Sequence, residues 1–326
     1  MLRGTTGARS FATLRQVVLK KNSASPFEAY GVETVKTSPA AKDKSLKLKL
    51  LGSVVTAKDV SVMRATADAV GKPAGQVGLF EVVDAGSSSR FQRGDKVQTL
   101  GGVGAWQTEL VAPEAAVSKV AAAVNPQNYA DFLGHAQAVQ MLKGLKAGDS
   151  VAVTEAQSPL GLGVVRVGKK MGLKVIAIVA PRAQADKALG RLKEAGASIV
   201  AAEEYVDKSY VVSQAFRRLL SDIPQTRVVI NSVGSLVAHE LARTLGNGGT
   251  MYVTGGAPFT LPASLFVDRK IVVRAADEPS AADFEEAASL LSGIDKVATP
   301  SVVFDMAEVA KAVDAVGFGP VSLLKA

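Results

Sequence analysis

From residue 150 onward the chain alternates short apolar runs with helical stretches, and this rhythm constrains the fold more than any other feature. The runs are SVAVT, KVIAIV, ASIVA, RVVIN, GTMYV and KIVVR. Between and after them, residues near 160 to 171, 184 to 195, 209 to 221, 235 to 245 and 281 to 292 repeat apolar positions at helical spacing. Near-continuous apolar strands joined by helices predict a doubly wound parallel sheet, buried on both faces. Six such strands make a full dinucleotide-binding unit. Residues 13 to 120 read differently, as short β segments with turns: TLRQVVLK, ETVKT, LKLKLLGSVV, VGLFEVVDAG, GDKVQTLGG and AWQTELVAP. Mainly antiparallel or mixed sheet is expected there. A helix is expected over 127 to 143, stopped by the GLKAGD turn. The last segment, from TPSVVF to the end, reads as strand, helix and closing strand returning to the first domain. The expected fold is therefore α/β, a β-rich domain over 13 to 135 with 298 to 326 returning to it, and a Rossmann-type domain over 136 to 297.

With 326 residues, 48% of them hydrophobic, the chain can bury two cores. No run approaches the roughly 20 apolar residues of a membrane span. There is no cysteine, so neither a disulfide framework nor a thiolate site exists, and His135 and His239 are too few for a zinc site. No metal ligand set is expected. The net charge of +8 is concentrated at one end: residues 1 to 50 hold ten Lys/Arg against three acids. Nucleic-acid binding has only this basic start behind it. MLRGTTGARSFATLRQ lacks acids, is rich in Arg, Ser and Thr, and sets Leu2, Phe11 and Leu14 apart from its arginines on a short helix. It reads as a mitochondrial presequence over 1 to 12, with the mature start near Ser10 to Thr13; the alternative is a disordered basic tail.

In a doubly wound fold the pyrophosphate of a dinucleotide sits where the first strand turns into the first helix. That place is TEAQSPLGLGVVRVGKKMGL, where Ser158, Gly161 and Gly163 are the candidate cofactor residues and Arg166 stands where a third glycine is usual. Pro159 suits the first turn of a helix but brings no N–H. The second strand ends in Ala180-Pro181-Arg182 with no acid for a ribose. Arg182 is thus a candidate for a 2′-phosphate, which points to NADPH if any cofactor binds. Asn231 and Gly255 follow the fourth and fifth strands, at the carboxyl ends where ligands bind, although both also fit ordinary turns. His135 and His239 read as structural histidines and Trp106 as core. No Ser/His/Asp set or paired carboxylates stand out.

These passages resemble the medium-chain dehydrogenase/reductase superfamily, and within it the zinc-free mitochondrial trans-2-enoyl-thioester reductases. FQRGDKVQTLGGVGAWQTELVAP resembles that family's G-D-x-V and G-x-G-x-W-x-T-x-x-V passage, and LKAGDSVAV its entry to the nucleotide domain. MGLKVIAIV, RLKEAGASIV, NSVGS and LARTLGNGGTMYVTGGAP follow in family order. The resemblance implies a GroES-like β-rich domain beside the Rossmann domain, and NADPH-dependent reduction of enoyl thioesters in mitochondrial fatty-acid synthesis. The reactive stretches depart from it. Where the family carries I-N-P-x-D-x-N-x-x-x-G-x-Y, this chain has VVTAKDVSVMRATADAV; Asp59 persists, and the tyrosine place falls near Ala67. The A-N-S-G-V-G loop is AQSPLG, and an aromatic G-F-W stretch has become Ala275-Ala276.

The expectation is a mitochondrial protein, in or facing the matrix, catalytically silent or weakened and serving as a structural subunit. Its partners would be other mitochondrial proteins or a second copy, with no catalytic residue assigned and with NADPH or no cofactor. The alternative is an active NADPH-dependent trans-2-enoyl-CoA/ACP reductase, with an acyl thioester as its partner.

Overall fold

The computed structural model describes residues 14–35, 44–65, 67–88, 90–179, 185–207, 216–255, 258–291, 301–316 and 321–325. The expected presequence over 1 to 12 and Arg182 lie outside the described residues. The chain divides into two compact units, 1–119 with 302–326, and 120–301. The division thus falls ahead of residue 136, and the helix Tyr129–Leu142 belongs to the second unit.

In the first unit, β1 (Leu14–Leu19) and β2 (Tyr30–Val35) form an antiparallel pair. The main sheet is built on β3 (Ser45–Val54), β4 (Leu79–Asp84), β5 (Lys96–Thr99), β6 (Glu109–Pro113) and β7 (Val117–Lys119). Strand β3 shows why its register is fixed: Leu46, Leu48 and Leu50 are buried while Lys47 and Lys49 turn outward. A slip of one residue would put lysines into the core. Later in the chain, β14 (Ser301–Asp305) and β15 (Val321–Lys325) join the same sheet, in the order β14-β15-β3-β4-β5-β7 with β6 pairing β3. The core gathers Leu46, Leu48, Phe80, Val82, Val97 and Trp106.

One helix in this unit, Ala57–Ala65, lies where the apolar pattern predicts none. Its start nevertheless carries a signal, Thr56 with Asp59 three residues on, the spacing of a capping pair. The Asp59 carboxylate accepts from Thr56 N at 2.8 Å and Thr56 Oγ1 at 2.6 Å, and from Gln76 N at 3.0 Å. The second unit holds β8 (Ser150–Val153), β9 (Lys174–Val179), β10 (Ile199–Ala202), β11 (Thr226–Asn231), β12 (Leu245–Val253) and β13 (Val272–Ala275). All five pairings are parallel, in the order β10-β9-β8-β11-β12-β13. These are the six strands expected from the sequence, and their order reverses between β8 and β11, the place where such folds open a ligand crevice. Helices Pro159–Lys170, Ala185–Ala195, Ser235–Thr244 and Ala281–Leu291 occupy expected stretches, whereas much of the one expected over 209 to 221 lies outside the described residues. Apolar clusters lie on both faces of the sheet, so β8 is buried throughout. The edge strand β13 is exposed along its length, with Val272 and Val273 uncovered. No helix among the described residues is long and apolar enough to cross a membrane.

Candidate functional site

At the switch point, the backbone of Thr154, one residue past β8, donates to Ile230 O at 3.0 Å and continues the ladder to β11. The Thr154 hydroxyl accepts from Ser232 N at 2.8 Å and lies 3.1 Å from Ser232 Oγ. Thr254, past β12, donates its N–H to Asn231 O at 2.9 Å. Three neighbouring carboxyl ends are thereby tied together, and sequence reasoning missed the Thr154–Ser232 link that does it. Asn231 is fully buried; its amide donates to Val233 O, and its Oδ1 has no partner. A buried acceptor without a donor is costly unless a ligand or water meets it. Gly255 stands nearby in open space, where a Cβ would meet only Ser232 O at 3.9 Å.

The helix Pro159–Lys170 starts at this crevice. Ser158 is its N-cap, with Oγ accepting from Gly161 N at 3.1 Å while Ser158 O accepts from Leu162 N at 2.8 Å. Pro159 has no N–H, which leaves Leu160 as the backbone donor of this first turn not taken up within the described residues. The helix dipole adds to that donor's attraction for an anion. Glu155, in the same loop, adopts a left-handed φ of 46° and is partly buried. The residues at this helix start fit a pyrophosphate poorly: one free backbone donor and a proline.

The two glycines of the loop serve different surfaces. At Gly161 a Cβ would collide with the backbone of Glu155 and Ala156, so the glycine lets the helix fold back over its entry loop. Gly163 faces away from the crevice, and a Cβ there would lie 2.6 Å from Gly134 O in the helix Tyr129–Leu142. Ser158, Gly161, Asn231 and Gly255 are thus brought to the carboxyl ends of adjoining strands, and Gly163 to a helix contact. Arg166, in place of the third glycine, is half-buried; burial pushes its guanidinium below its ordinary range, while Asp131 favours and Arg191 opposes its charge. His135 is fully buried, with Nδ1 at 2.6 Å from Asp131 O, and burial lowers its pKa. His239 is partly buried on the helix Ser235–Thr244.

In the first unit, the stretch that would carry the family's tyrosine runs through the helix Ala57–Ala65 to the turn Ala67–Ala69. The tyrosines that flank it in sequence are both buried. Tyr30 donates its hydroxyl to Asp59 O at 3.1 Å and packs edge-on to Trp106, and burial raises its pKa. Tyr129 is 1% exposed. Asp59 is a structural group here: burial outweighs its hydrogen bonds, those from Thr56 and Gln76 among them, and raises its pKa to about 6. The folded state therefore holds this proton more tightly than the unfolded chain does. Its contribution to stability is complete below about pH 4 and is lost as pH rises through about 6, and Asp59→Asn is expected to remove that step from urea-denaturation free energies measured between pH 4 and 7.

No family model matches the chain. Among curated relatives, it is 27% identical over 279 residues to the mitochondrial enoyl-[acyl-carrier-protein] reductase of Dictyostelium discoideum, covering 82% of this chain and 78% of the relative. To the rat protein of the same description it is 30% identical over 247 residues, 72% of this chain and 65% of that one. Among solved structures, the Etr1p/NADP/crotonyl-CoA complex superposes with a TM-score of 0.82 at 19% identity, over 97% of this chain and 100% of that chain. The Etr1p/Etr2p 2-enoyl thioester reductase heterodimer of Candida tropicalis gives 0.80, at the same identity and coverage. Both matches extend over nearly the whole chain. The chain is a protein of medium-chain dehydrogenase/reductase type, enoyl-thioester-reductase-like in its sequence and fold.

Proposed function

We propose that this chain is a mitochondrial reductase-like protein, in or facing the matrix, whose enoyl-thioester reductase activity is lost or strongly weakened and which serves as a structural subunit of a larger assembly. The observation that carries this reading is the fate of the phenols. No tyrosine lies between Tyr30 and Tyr129, and both of these are buried, Tyr30 with its hydroxyl bonded to Asp59 O. Neither phenol is offered to a substrate. The helix start at Ser158 supports the same reading, since an anion there would find one free backbone donor beside a proline that has none. Fold signals persist where reactive groups do not, the pattern expected of a protein kept for its surface.

The exposed β13 edge, with Val272 and Val273 uncovered, supports association through that strand with a second copy or another mitochondrial protein, since an open apolar edge invites strand pairing.

One observation favours the second reading, an NADPH-binding protein and at its strongest an active reductase. The unpartnered Oδ1 of Asn231 lies at the switch point, where a cofactor donor would satisfy it. Ser158, Gly161, Gly163, Asn231, Gly255 and Arg182 are then the cofactor residues, with Arg182 selecting the 2′-phosphate.

Thermal-shift titration with NADPH and NADH, followed by an NADPH-oxidation assay with a trans-2-enoyl-CoA, separates the two. A ligand at about 100 times its Kd adds about 2.7 kcal/mol to the native state, a plain rise in Tm. The expected result is little or no shift and no turnover; an NADPH-selective shift with turnover overturns the silent reading.

A further inference from the structure

Away from the switch point, the second unit contains a cavity of about 330 Å³ at the amino end of β11. Its lining combines apolar residues, Phe216, Leu220 and Ile223 among them, with three arginines, Arg217, Arg243 and Arg269. Among the described lining residues Glu240 is the one carboxylate, and it is shared. It contacts Arg217 Nη2 at 3.2 Å and Arg243 Nη1 at 3.7 Å. Arg269 is otherwise engaged, its Nη1 donating to Arg243 O at 2.8 Å and Leu245 O at 3.1 Å, the carbonyls at the end of the helix Ser235–Thr244. A guanidinium carries five N–H donors in a planar fork, so one contact each to a shared carboxylate leaves most of the donors of Arg217 and Arg243 for a ligand. The volume is at the small end of the range for organic ligand sites.

We infer that this cavity binds a small organic anion, a carboxylate carried on an apolar chain. Arg217 and Arg243 take the head group, Phe216 and Leu220 take the chain, and Glu240 is the internal competitor that holds the guanidiniums in place when no ligand is there. Two features of the lining argue for an amphiphile over a simple ion: the arginines favour an anion, and the apolar residues gain nothing from one that lacks a hydrophobic body. The inference is independent of whether the crevice at Ser158 binds a cofactor.

Calorimetric titration of the full chain with octanoate, acetate and 1-octanol tests it. Octanoate is expected to bind at least tenfold more tightly than either half-molecule. The double substitution Arg217→Gln with Arg243→Gln is expected to weaken octanoate at least tenfold, whereas Glu240→Gln is expected to tighten it several-fold by releasing both guanidiniums. The opposite signs identify the site even if the double variant fails to fold, because a general loss of structure cannot tighten binding. Absence of saturable octanoate binding overturns the inference. So does acetate binding as tightly as octanoate, or affinity unchanged by Glu240→Gln.

Discussion

Replacing Gly134 by alanine is expected to destabilise the second unit by about 2 to 3 kcal/mol, read as a lower urea midpoint at unchanged slope. Gly134 lies mid-helix, where alanine would ordinarily gain about 1 kcal/mol. Here its Cβ would run into the backbone carbonyl of Pro159, at the start of the neighbouring helix, and neither atom belongs to a side chain that can swing away. Gly163→Ala meets the same contact from the other side, 2.6 Å from Gly134 O, and is expected to cost a similar amount. The internal control is Gly190 in the helix Ala185–Ala195, which is exposed with nothing within 4 Å of its would-be Cβ. Gly190→Ala is expected to stabilise the protein by up to about 1 kcal/mol. Equal effects at 134 and 190 would refute the close helix contact. Because the colliding carbonyl belongs to Pro159, a shift of the two helices would also move the turn beneath the candidate cofactor crevice.

Trp106→Ala is expected to cost the first unit about 3 to 5 kcal/mol. The indole is fully buried in that unit's core. It meets Tyr30 edge-on at 5.4 Å between ring centroids and donates from Nε1 to Ser53 Oγ at 3.0 Å. Ser53 in turn donates its hydroxyl to Val77 O, so the indole anchors a short polar chain inside apolar surroundings. Gly75, with φ +98°, makes room for the ring: a Cβ there would sit 2.5 Å from Trp106 Cδ1. Trp106→Phe keeps most of the apolar area and loses the N–H. Its expected cost is therefore smaller, about 1 to 2 kcal/mol, in the same denaturation experiment. If the two substitutions prove equal, the hydrogen bond and not the ring volume dominates the site.

The alternation of elements is legible in the residues alone. Apolar runs of four to six residues between amphipathic stretches leave few alternatives to a parallel sheet, and all six expected strands stand in the second unit. The residues also carry the capping signal of Thr56 and Asp59, legible once caps are sought, although the helix that follows has too little amphipathic contrast to stand out by periodicity. What each glycine of the cofactor loop does was decided only by tertiary structure. Gly161 and Gly163 are two positions apart on a helix, roughly 200° around its axis, so they face opposite surroundings. One meets its own entry loop and the other a helix that begins some thirty residues earlier. The same holds for Arg166, read in sequence as a broken motif and found under the influence of Asp131 on that neighbouring helix. Local spacing fixes which elements form. The partner a side chain meets depends on how those elements pack, and at the switch point the packing leaves Asn231 Oδ1 buried and unanswered.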